Sequence, residues 1–226
     1  MTPYAAGLLA RVQQVYPEHA DPVRAAATRA YMRDQFPYLG FSRPVQRQLS
    51  RTVLAGSGTP TEADLVDLAL GCWALDEREY QYFAVDLLRR HVGVCGAGFL
   101  DTARTLIASR SWWDTVDELA AHVIGPLVAR FPELVKTKDT WVSDPDMWLV
   151  RTAILHQNGY RAATDPERLF AYCAAQAAHR DFFVRKAIGW ALREYARTDP
   201  GAVREFVEAH RGTLSGLSIR EALKHL

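Results

Sequence analysis

Three charged residues spaced 34 positions apart could act together chemically. Asp117, Arg151 and Arg185 occupy one position of a 34-residue pattern that begins at Phe83. If equivalent positions of a repeat face the same surface, a carboxylate lies there beside two guanidinium groups. Such a set suits an anionic partner that carries a cationic centre. An interhelical ladder of salt bridges also accounts for the spacing, and both interpretations stay open at this point.

Tryptophan residues accompany these charges. Trp113 precedes Asp117 by four residues, which places the two side chains on one face of a helix. Trp190 follows the last charged position by five residues. Adjacent helical positions differ by about 100°, so Trp112 and Trp113 cannot both point into a core, and one of them lines a groove or is exposed. Any single Trp taken alone is also typical of a core anchor.

Other recognisable chemistry is absent from the sequence. It contains no G-x-S-x-G motif, no Walker loop and no dinucleotide-binding fingerprint, so the hydrolase, NTPase and dehydrogenase classes that carry them are unsupported. The histidines form no H-x-x-x-H pair, and the cysteines form no C-x-x-C pair. We therefore predict no metal site, no cofactor and no disulfide framework; the cysteines are small apolar residues at Cys72, Cys95 and Cys173.

Net charge and hydropathy limit where in the cell we expect the protein and which kinds of partner it can bind. The 226 residues include 27 basic and 26 acidic side chains, for a net charge of +1. A case for nucleic-acid binding must therefore come from charge concentrated on one face. No stretch approaches 18 uninterrupted apolar residues, and the N-terminus has no secretory pattern. We expect a cytoplasmic bacterial protein that is associated with the nucleoid when in use.

Helical periodicity dominates the chain, and strand signals are almost absent. Four Asp or Thr residues, at Asp21, Thr61, Asp144 and Asp165, resemble N-caps that precede helices. We predict helices over 3–16, 21–35, 42–56, 61–73, 77–91, 97–109, 112–129, 131–137, 145–158, 165–178, 181–198, 200–210 and 215–225.

The 34-residue pattern indicates a repeat architecture. The segments FAVDLL (83–88), DELAAH (117–122), RTAILH (151–156) and RKAIGW (185–190) are in register, and the second position of each is apolar. Each unit has room for two antiparallel helices, which bury their apolar faces only by stacking on neighbours. The sequence predicts an all-α fold: a single domain, 1–226, built as a curved α-solenoid with a concave face.

Several segments carry a resemblance to a known family. These are YMRDQFPYLGFSRPVQRQL (31–49), REYQYFAVDLL (78–88), SWWDTVDELA (111–120), DPDMWLVRTAILHQ (144–157) and FVRKAIGWALREYART (183–198). With them the chain resembles the AlkD-type DNA alkylation repair glycosylases, which consist of HEAT-like helical repeats. The likeness spans nearly the whole chain. It departs at Ser42, where a longer amide side chain is expected, which puts one DNA contact in doubt.

The resemblance implies an activity and a set of site residues. The family excises cationic N-alkylated purines, such as 3-methyladenine and 7-methylguanine, from duplex DNA. It implies that Asp117 is the catalytic carboxylate, that Trp113 and Trp190 flank it, and that Arg151 contacts a phosphate. Further expected DNA contacts are Tyr31, Arg43, Arg47, Arg185, Lys186 and Arg193.

The chemistry of the lesion agrees with this assignment. An N3- or N7-alkylated purine already carries positive charge, so its glycosidic bond is weakened and no acid is needed to protonate the leaving group. One carboxylate can stabilise the oxocarbenium-like sugar and orient or deprotonate water. Indole faces attract a cationic nucleotide by about 1–2 kcal/mol each when desolvated. The expected partner is double-stranded DNA, bound by a monomer without metal or membrane.

Two other functions remain open on the sequence alone. An AlkD-like solenoid could bind damaged or structured DNA without excision; such a protein should lack the carboxylate or a Trp. A protein–protein scaffold would scatter the Trp, Asp and Arg residues through the core. The near-zero net charge favours the scaffold, whereas the presence of Asp117, Trp113, Arg151 and Trp190 favours the enzyme.

Overall fold

A computed structural model of the chain describes Met1–Leu226 as an all-helical protein without β-strands. The predicted all-α class is therefore confirmed. The chain forms two compact units, Met1–Thr102 and Ala103–Leu226, and the single domain stays a prediction. None of the helices combines the length and hydrophobicity needed to cross a bilayer.

The first unit is formed by five helices and the start of a sixth. Two of the predicted caps are present: the Asp21 carboxylate accepts from the backbone N–H groups of Val23 and Arg24, and Thr61 forms a capping box with Asp64. The helices are α1 (Pro3–Val15), α2 (Pro22–Tyr31), α3 (Arg43–Leu54), α4 (Glu62–Trp73), α5 (Arg78–His91) and α6 (Phe99–Ala108), the last of which continues into the second unit.

The second unit contains the remaining helices. Asp165 caps one of them as predicted. The helices are α7 (Trp113–Leu119), α8 (Gly125–Arg130), α9 (Leu134–Thr140), α10 (Met147–Leu155), α11 (Pro166–Ala175), α12 (Phe182–Tyr195), α13 (Pro200–Ala209) and α14 (Gly216–Ala222).

Two predicted helix boundaries are wrong for local reasons. Asp144 does not cap α10: it accepts from the backbone N–H of Asp146, and Asp146 caps the helix by accepting from Trp148. Helix α2 ends at Tyr31 rather than near 35, because Arg33 and Asp34 have φ angles of 57° and 56°. That left-handed conformation cannot continue a right-handed helix.

Contacts at the repeat spacing occur within both units. In the first unit, the Tyr16 hydroxyl and the Ser50 hydroxyl lie 2.8 Å apart across 34 residues. In the second unit, Lys138 donates to the Tyr172 hydroxyl over 2.6 Å, again 34 residues away. Equivalent positions of successive helical repeats therefore stack on one another, as the 34-residue pattern predicts.

The helix that carries Asp117 contains a π-helical turn. Between α7 and α8 the residues Ala120–Ile124 form this wide turn, and the Gly125 N–H donates to the Ala120 carbonyl, five residues back. Pro126 follows directly. A proline has no N–H and its ring clashes with the carbonyl four residues earlier, so the wider turn accommodates it without ending the helical path.

Gly125 lets this helical path approach α10 closely. A Cβ atom added at Gly125 would lie 2.4 Å from the backbone oxygen of His156, just beyond the end of α10. The Tyr160 hydroxyl also donates to the Gly125 carbonyl over 2.5 Å. The contact fixes the separation of the two segments that carry Asp117 and Arg151.

We expect Gly125→Ala to lower the free energy of unfolding by about 1–3 kcal/mol, because the methyl group must displace backbone. Urea denaturation followed by circular dichroism measures the change. Gly7→Ala is the matched control: Gly7 lies within α1 with nothing within 4 Å of the added Cβ, so it should stabilise by about 0.5–1 kcal/mol. A Gly125 variant as stable as the Gly7 variant would contradict the tight contact.

Candidate active site

A bidentate ion pair joins two of the predicted site residues. The Arg151 Nε donates to Asp117 Oδ1 and its Nη2 to Oδ2, both over 2.7 Å. The third nitrogen, Nη1, donates to the backbone oxygen of Phe183 on α12. The guanidinium is thus held between α7 and α12, and its planar fork fixes the plane of the carboxylate.

Exposure is distributed unequally across this pair. The Arg151 side chain is 1% exposed, whereas that of Asp117 is 24% exposed. The Asp117 side chain therefore retains contact with solvent, whereas the Arg151 side chain does not. Burial raises the pKa of the Asp117 carboxyl above its usual value, and the hydrogen bonds and charge of Arg151 act against that rise.

The indole of Trp190 lies next to the ion pair of Asp117 and Arg151. The Arg151 guanidinium carbon lies 5.2 Å from the centre of this ring, and Lys186 Nζ lies 5.3 Å from it. Both distances are within the range of cation–π attraction. The half-buried indole therefore lies beside the ion pair and next to two cations of the protein itself.

The Trp112–Trp113 pair divides as the helical geometry predicts. Trp112 is buried and packs against Trp148 and Phe183, with ring centres 5.7 and 4.9 Å away. Trp113 is half-buried and begins α7 one turn before Asp117. Trp112 is thus a core anchor, and Trp113 is the member of the pair that retains exposed surface near the carboxylate.

A second carboxylate, Glu221 on α14, holds the other side of Trp190. Glu221 Oε2 accepts from Trp190 Nε1 over 3.0 Å and from Arg193 Nη1 over 2.8 Å, while Oε1 accepts from Lys186 Nζ over 2.7 Å. These contacts, with that of Lys186 first, keep the pKa of Glu221 below its usual value. Asp117, Arg151, Trp190, Lys186, Arg193 and Glu221 form what we call the Asp117 cluster.

Arg185 lies near this cluster but is not joined to it by an observed hydrogen bond of its side chain. Its backbone oxygen accepts from the Ser218 hydroxyl over 2.9 Å. Its Nε is buried without a hydrogen-bond partner. The 34-residue position therefore brings Asp117 and Arg151 together, as the ladder interpretation predicted, but does not extend the ladder to Arg185.

The other predicted DNA contacts lie in the first unit. Tyr31 ends α2 and is 73% exposed. Arg43 donates to Gln46 over 2.6 Å and to Asp86 over 2.8 Å, so its guanidinium is held against α5. Arg47 is exposed on the next turn of α3.

Arg47 also lines a groove of about 730 Å³ between α3 and α5. Arg43, Arg47 and Arg51 follow one another at four-residue spacing, so they share one face of α3. Asp86, the acidic residue that lines the groove, is paired with Arg43. Like charges at this spacing destabilise a helix slightly, and they concentrate positive potential along the groove. The four arginines that line it are Arg47, Arg51, Arg89 and Arg90.

Sequence reasoning missed parts of both sites. Arg51 could have been found by extending the four-residue spacing of Arg43 and Arg47. Glu221 lies 35 residues after Lys186, so continuing the repeat pattern past Arg185 would have pointed to α14. No sequence signal indicates that the Phe183 backbone oxygen accepts from Arg151. No group of three or more His, Cys, Asp and Glu residues is arranged to hold a metal ion.

Comparison with known proteins assigns the family. A family model described as DNA alkylation repair enzyme matches residues 12–226. The chain belongs to the DNA alkylation repair enzyme family. A solved structure described as a predicted DNA alkylation repair enzyme from Enterococcus faecalis is 30% identical; the match covers 92% of this chain and 97% of that one, with a TM-score of 0.84.

More distant solved structures share the fold of this DNA alkylation repair family member. AlkD2 from Streptococcus mutans is 16% identical with a TM-score of 0.60, over 82% of this chain and 91% of that one. The smu.31 protein of Streptococcus mutans UA159 matches at the same identity and score, over 81% and 92%. No curated protein sequence matches the chain. The family match includes the whole Asp117 cluster and the groove arginines.

We expect Arg151→Lys to lower the free energy of unfolding by about 1–3 kcal/mol. A lysine ammonium cannot satisfy both Asp117 oxygens and the Phe183 carbonyl in one geometry. Urea denaturation measures the loss. The matched control is Arg197→Lys, because Arg197 is 70% exposed and pairs with Glu194 over 3.0 Å; it should change stability by less than about 0.5 kcal/mol. Equal effects would contradict a specific role for the fork.

Proposed function

We propose that the chain is a DNA glycosylase that hydrolyses the N-glycosidic bond of positively charged N3- and N7-alkylated purines in duplex DNA. The substrates include 3-methyladenine and 7-methylguanine, and the chain acts as one domain and as a monomer. The observation that carries the proposal is the partly exposed Asp117 carboxylate, oriented by buried Arg151 beside the Trp190 indole. Membership of the DNA alkylation repair family supports it.

The carboxylate suits the demands of this reaction. The C1′–N bond breaks with its electron pair going to the base, whose positive charge is thereby neutralised. Positive charge develops on the sugar, where Asp117 stabilises it. The oxygen of a water molecule then forms the C1′–O bond, and this water loses a proton. Asp117 accepts the proton directly, or the proton passes to solvent. The step requires Asp117 to be ionised.

Arg151 has a different role in this proposal from the one that the resemblance implies. All three guanidinium nitrogens donate to protein oxygens, and the side chain is 1% exposed. We assign Arg151 to holding the Asp117 carboxylate in its orientation, and we assign contact with the nucleotide to the exposed faces of Trp113 and Trp190. Direct contact between Arg151 and a phosphate would require the guanidinium to leave its present partners.

Backbone binding falls to the basic residues outside the ion pair. Lys186 and Arg193 are each 24% exposed, so phosphates can reach them despite their contacts with Glu221. In the first unit, Arg47 and its neighbours in the groove supply a second cluster of positive charge. Such contacts give affinity and position without reading the base sequence.

The decisive test is excision from a duplex that contains a single 7-methylguanine. We expect Asp117→Asn to reduce the single-turnover rate constant by about 10²–10⁴-fold while duplex affinity is retained, because the amide cannot stabilise positive charge or accept the proton. Asp114→Asn is the matched control, with the same change of charge one turn earlier on α7, and should lose less than about tenfold.

The dependence of the same rate constant on pH provides a second readout of this prediction. Burial raises the pKa of Asp117 above the usual 3.8, so protonation removes the active carboxylate at a higher pH than for an exposed Asp. The rate should therefore fall as the pH falls through that raised value, and the acid limb should vanish in the Asn variant. Binding without release of the base by the wild type would instead favour the non-catalytic binding module.

The groove arginines generate a separate prediction about affinity. Replacing Arg47, Arg51 and Arg90 together by Ala should weaken binding to undamaged duplex. It should also reduce the magnitude of the slope of log K against log[salt] by about 1 per lost phosphate contact. Fluorescence anisotropy at several salt concentrations measures both.

A triple variant with the same change of net charge serves as the control for the groove. Arg197, Arg204 and Arg211 lie at or near α13, are exposed, and are not among the residues that line the groove. Their replacement by Ala should leave the slope nearly unchanged. Equal loss of slope in both triple variants would show that net charge, rather than the groove, determines binding.

A further inference from the structure

Glu221 makes contacts that go beyond a single surface ion pair. Its two carboxylate oxygens accept three hydrogen bonds, from Lys186, Trp190 and Arg193, over 2.7–3.0 Å. The side chain is 17% exposed. The three donors lie at intervals of four and three residues on α12, so they share one face, and the carboxylate on α14 lies at the centre of that face.

A glycine in α12 allows the Glu221 carboxylate to reach the face that carries its three donors. Gly189 precedes Trp190 on α12, and a Cβ atom added at Gly189 would lie 2.4 Å from the Glu221 Cβ and 2.9 Å from the Ser218 backbone oxygen. The absence of a side chain at Gly189 thus allows α14 to approach α12 at the point where Glu221 meets the indole. Such close approach favours Gly over any residue with a Cβ.

The contact with Trp190 restrains the ring specifically. An indole has one hydrogen-bond donor, its Nε1–H, and that donor is committed to Glu221 Oε2. The centre of the ring meanwhile lies 5.2 Å from the Arg151 guanidinium carbon. With the Nε1–H bonded at one edge and cations near the ring, rotation about the side-chain torsions would lose the hydrogen bond.

We propose that Glu221 is a positioning residue, which holds the Trp190 indole in the orientation that faces the cationic nucleotide. This inference rests on the proposed glycosylase function, because it assigns to Trp190 a face for that nucleotide. Glu221 does not touch the reacting atoms. It acts through Trp190, and its contacts with Lys186 and Arg193 hold the Glu221 carboxylate itself in place.

The geometric part is tested without any activity. In ¹⁵N–¹H spectra of the DNA-free protein, Trp190→Phe identifies the indole resonance of Trp190 among those of the six tryptophans. Replacing Glu221 by Ala should shift this resonance upfield, and its proton should exchange with solvent at least about tenfold faster. An unchanged Trp190 indole resonance in Glu221→Ala would overturn the proposal.

The catalytic part is tested by a double-mutant cycle in the single-turnover excision assay. Glu221→Ala should slow excision about 10- to 100-fold, as expected for a displaced contact group, with little loss of affinity for undamaged duplex. In the Trp190→Phe background the same change should have less than about a threefold effect, because the two residues act as one unit. A full effect in both backgrounds would overturn positioning through Trp190.

Two further variants separate this role from general stability. Glu221→Gln keeps the length of the side chain and an acceptor for the indole but loses the charge. Its effects on the Trp190 indole resonance and on the excision rate should therefore be smaller than those of Glu221→Ala. Glu208→Ala removes an exposed carboxylate on α13 that pairs with Arg211 and should change neither readout. If the wild type excises nothing, the glycosylase function fails, and the indole resonance alone then decides whether Glu221 orients Trp190.

Discussion

The burial of one guanidinium group is the constraint on which the second unit depends. Arg151 is 1% exposed, and a buried cation that lost its partner would cost several kcal/mol. Three oxygen atoms from two segments accept hydrogen bonds from this guanidinium: both oxygens of the Asp117 carboxylate on α7 and the Phe183 carbonyl oxygen on α12. Because the fork of an arginine is planar and rigid, satisfying it also fixes the carboxylate. A requirement of stability thereby orients the Asp117 carboxylate, the group that we propose to be catalytic.

The surrounding helices can be understood as supports for that pair. The π-helical turn at Ala120–Ile124 carries the chain past Pro126, and Gly125 then packs against the end of α10, which bears Arg151. Within the same unit, Gly189 brings α14 against α12, so that Glu221 reaches the Trp190 indole. Two glycines at close helix contacts thus determine the separation of the elements that carry the charged groups. π-helical turns of this kind occur often near functional sites, here within one turn of Asp117.

Sequence patterns predicted the elements better than the contacts between them. Amphipathic spacing and caps such as Thr61 located the helices within a few residues, because both are local properties. Asp144 failed as a cap because Asp146 competes for the same helix start. The 34-residue register predicted the Asp117–Arg151 pair, since stacking converts sequence spacing into spatial proximity. It could not predict the Phe183 carbonyl or Glu221, because those contacts depend on how closely α12 approaches its neighbours.

An interhelical ladder of salt bridges and a catalytic role for the residues of the 34-residue pattern need not exclude each other. Arg151 is enclosed and Asp117 is 24% exposed, so a pair that stabilises the packing of the helices also leaves part of the Asp117 side chain accessible. Other charged residues are also arranged unequally. Acidic residues such as Asp86 and Glu221 are held by basic partners, while Arg47 and Arg51 remain exposed on one face of α3. A net charge of +1 is therefore compatible with locally strong positive potential. The near-neutral composition, which favoured a protein–protein scaffold, is therefore a weak argument against DNA binding, because acidic residues such as Asp86 and Glu221 are paired while arginines such as Arg47 and Arg51 are exposed on one face.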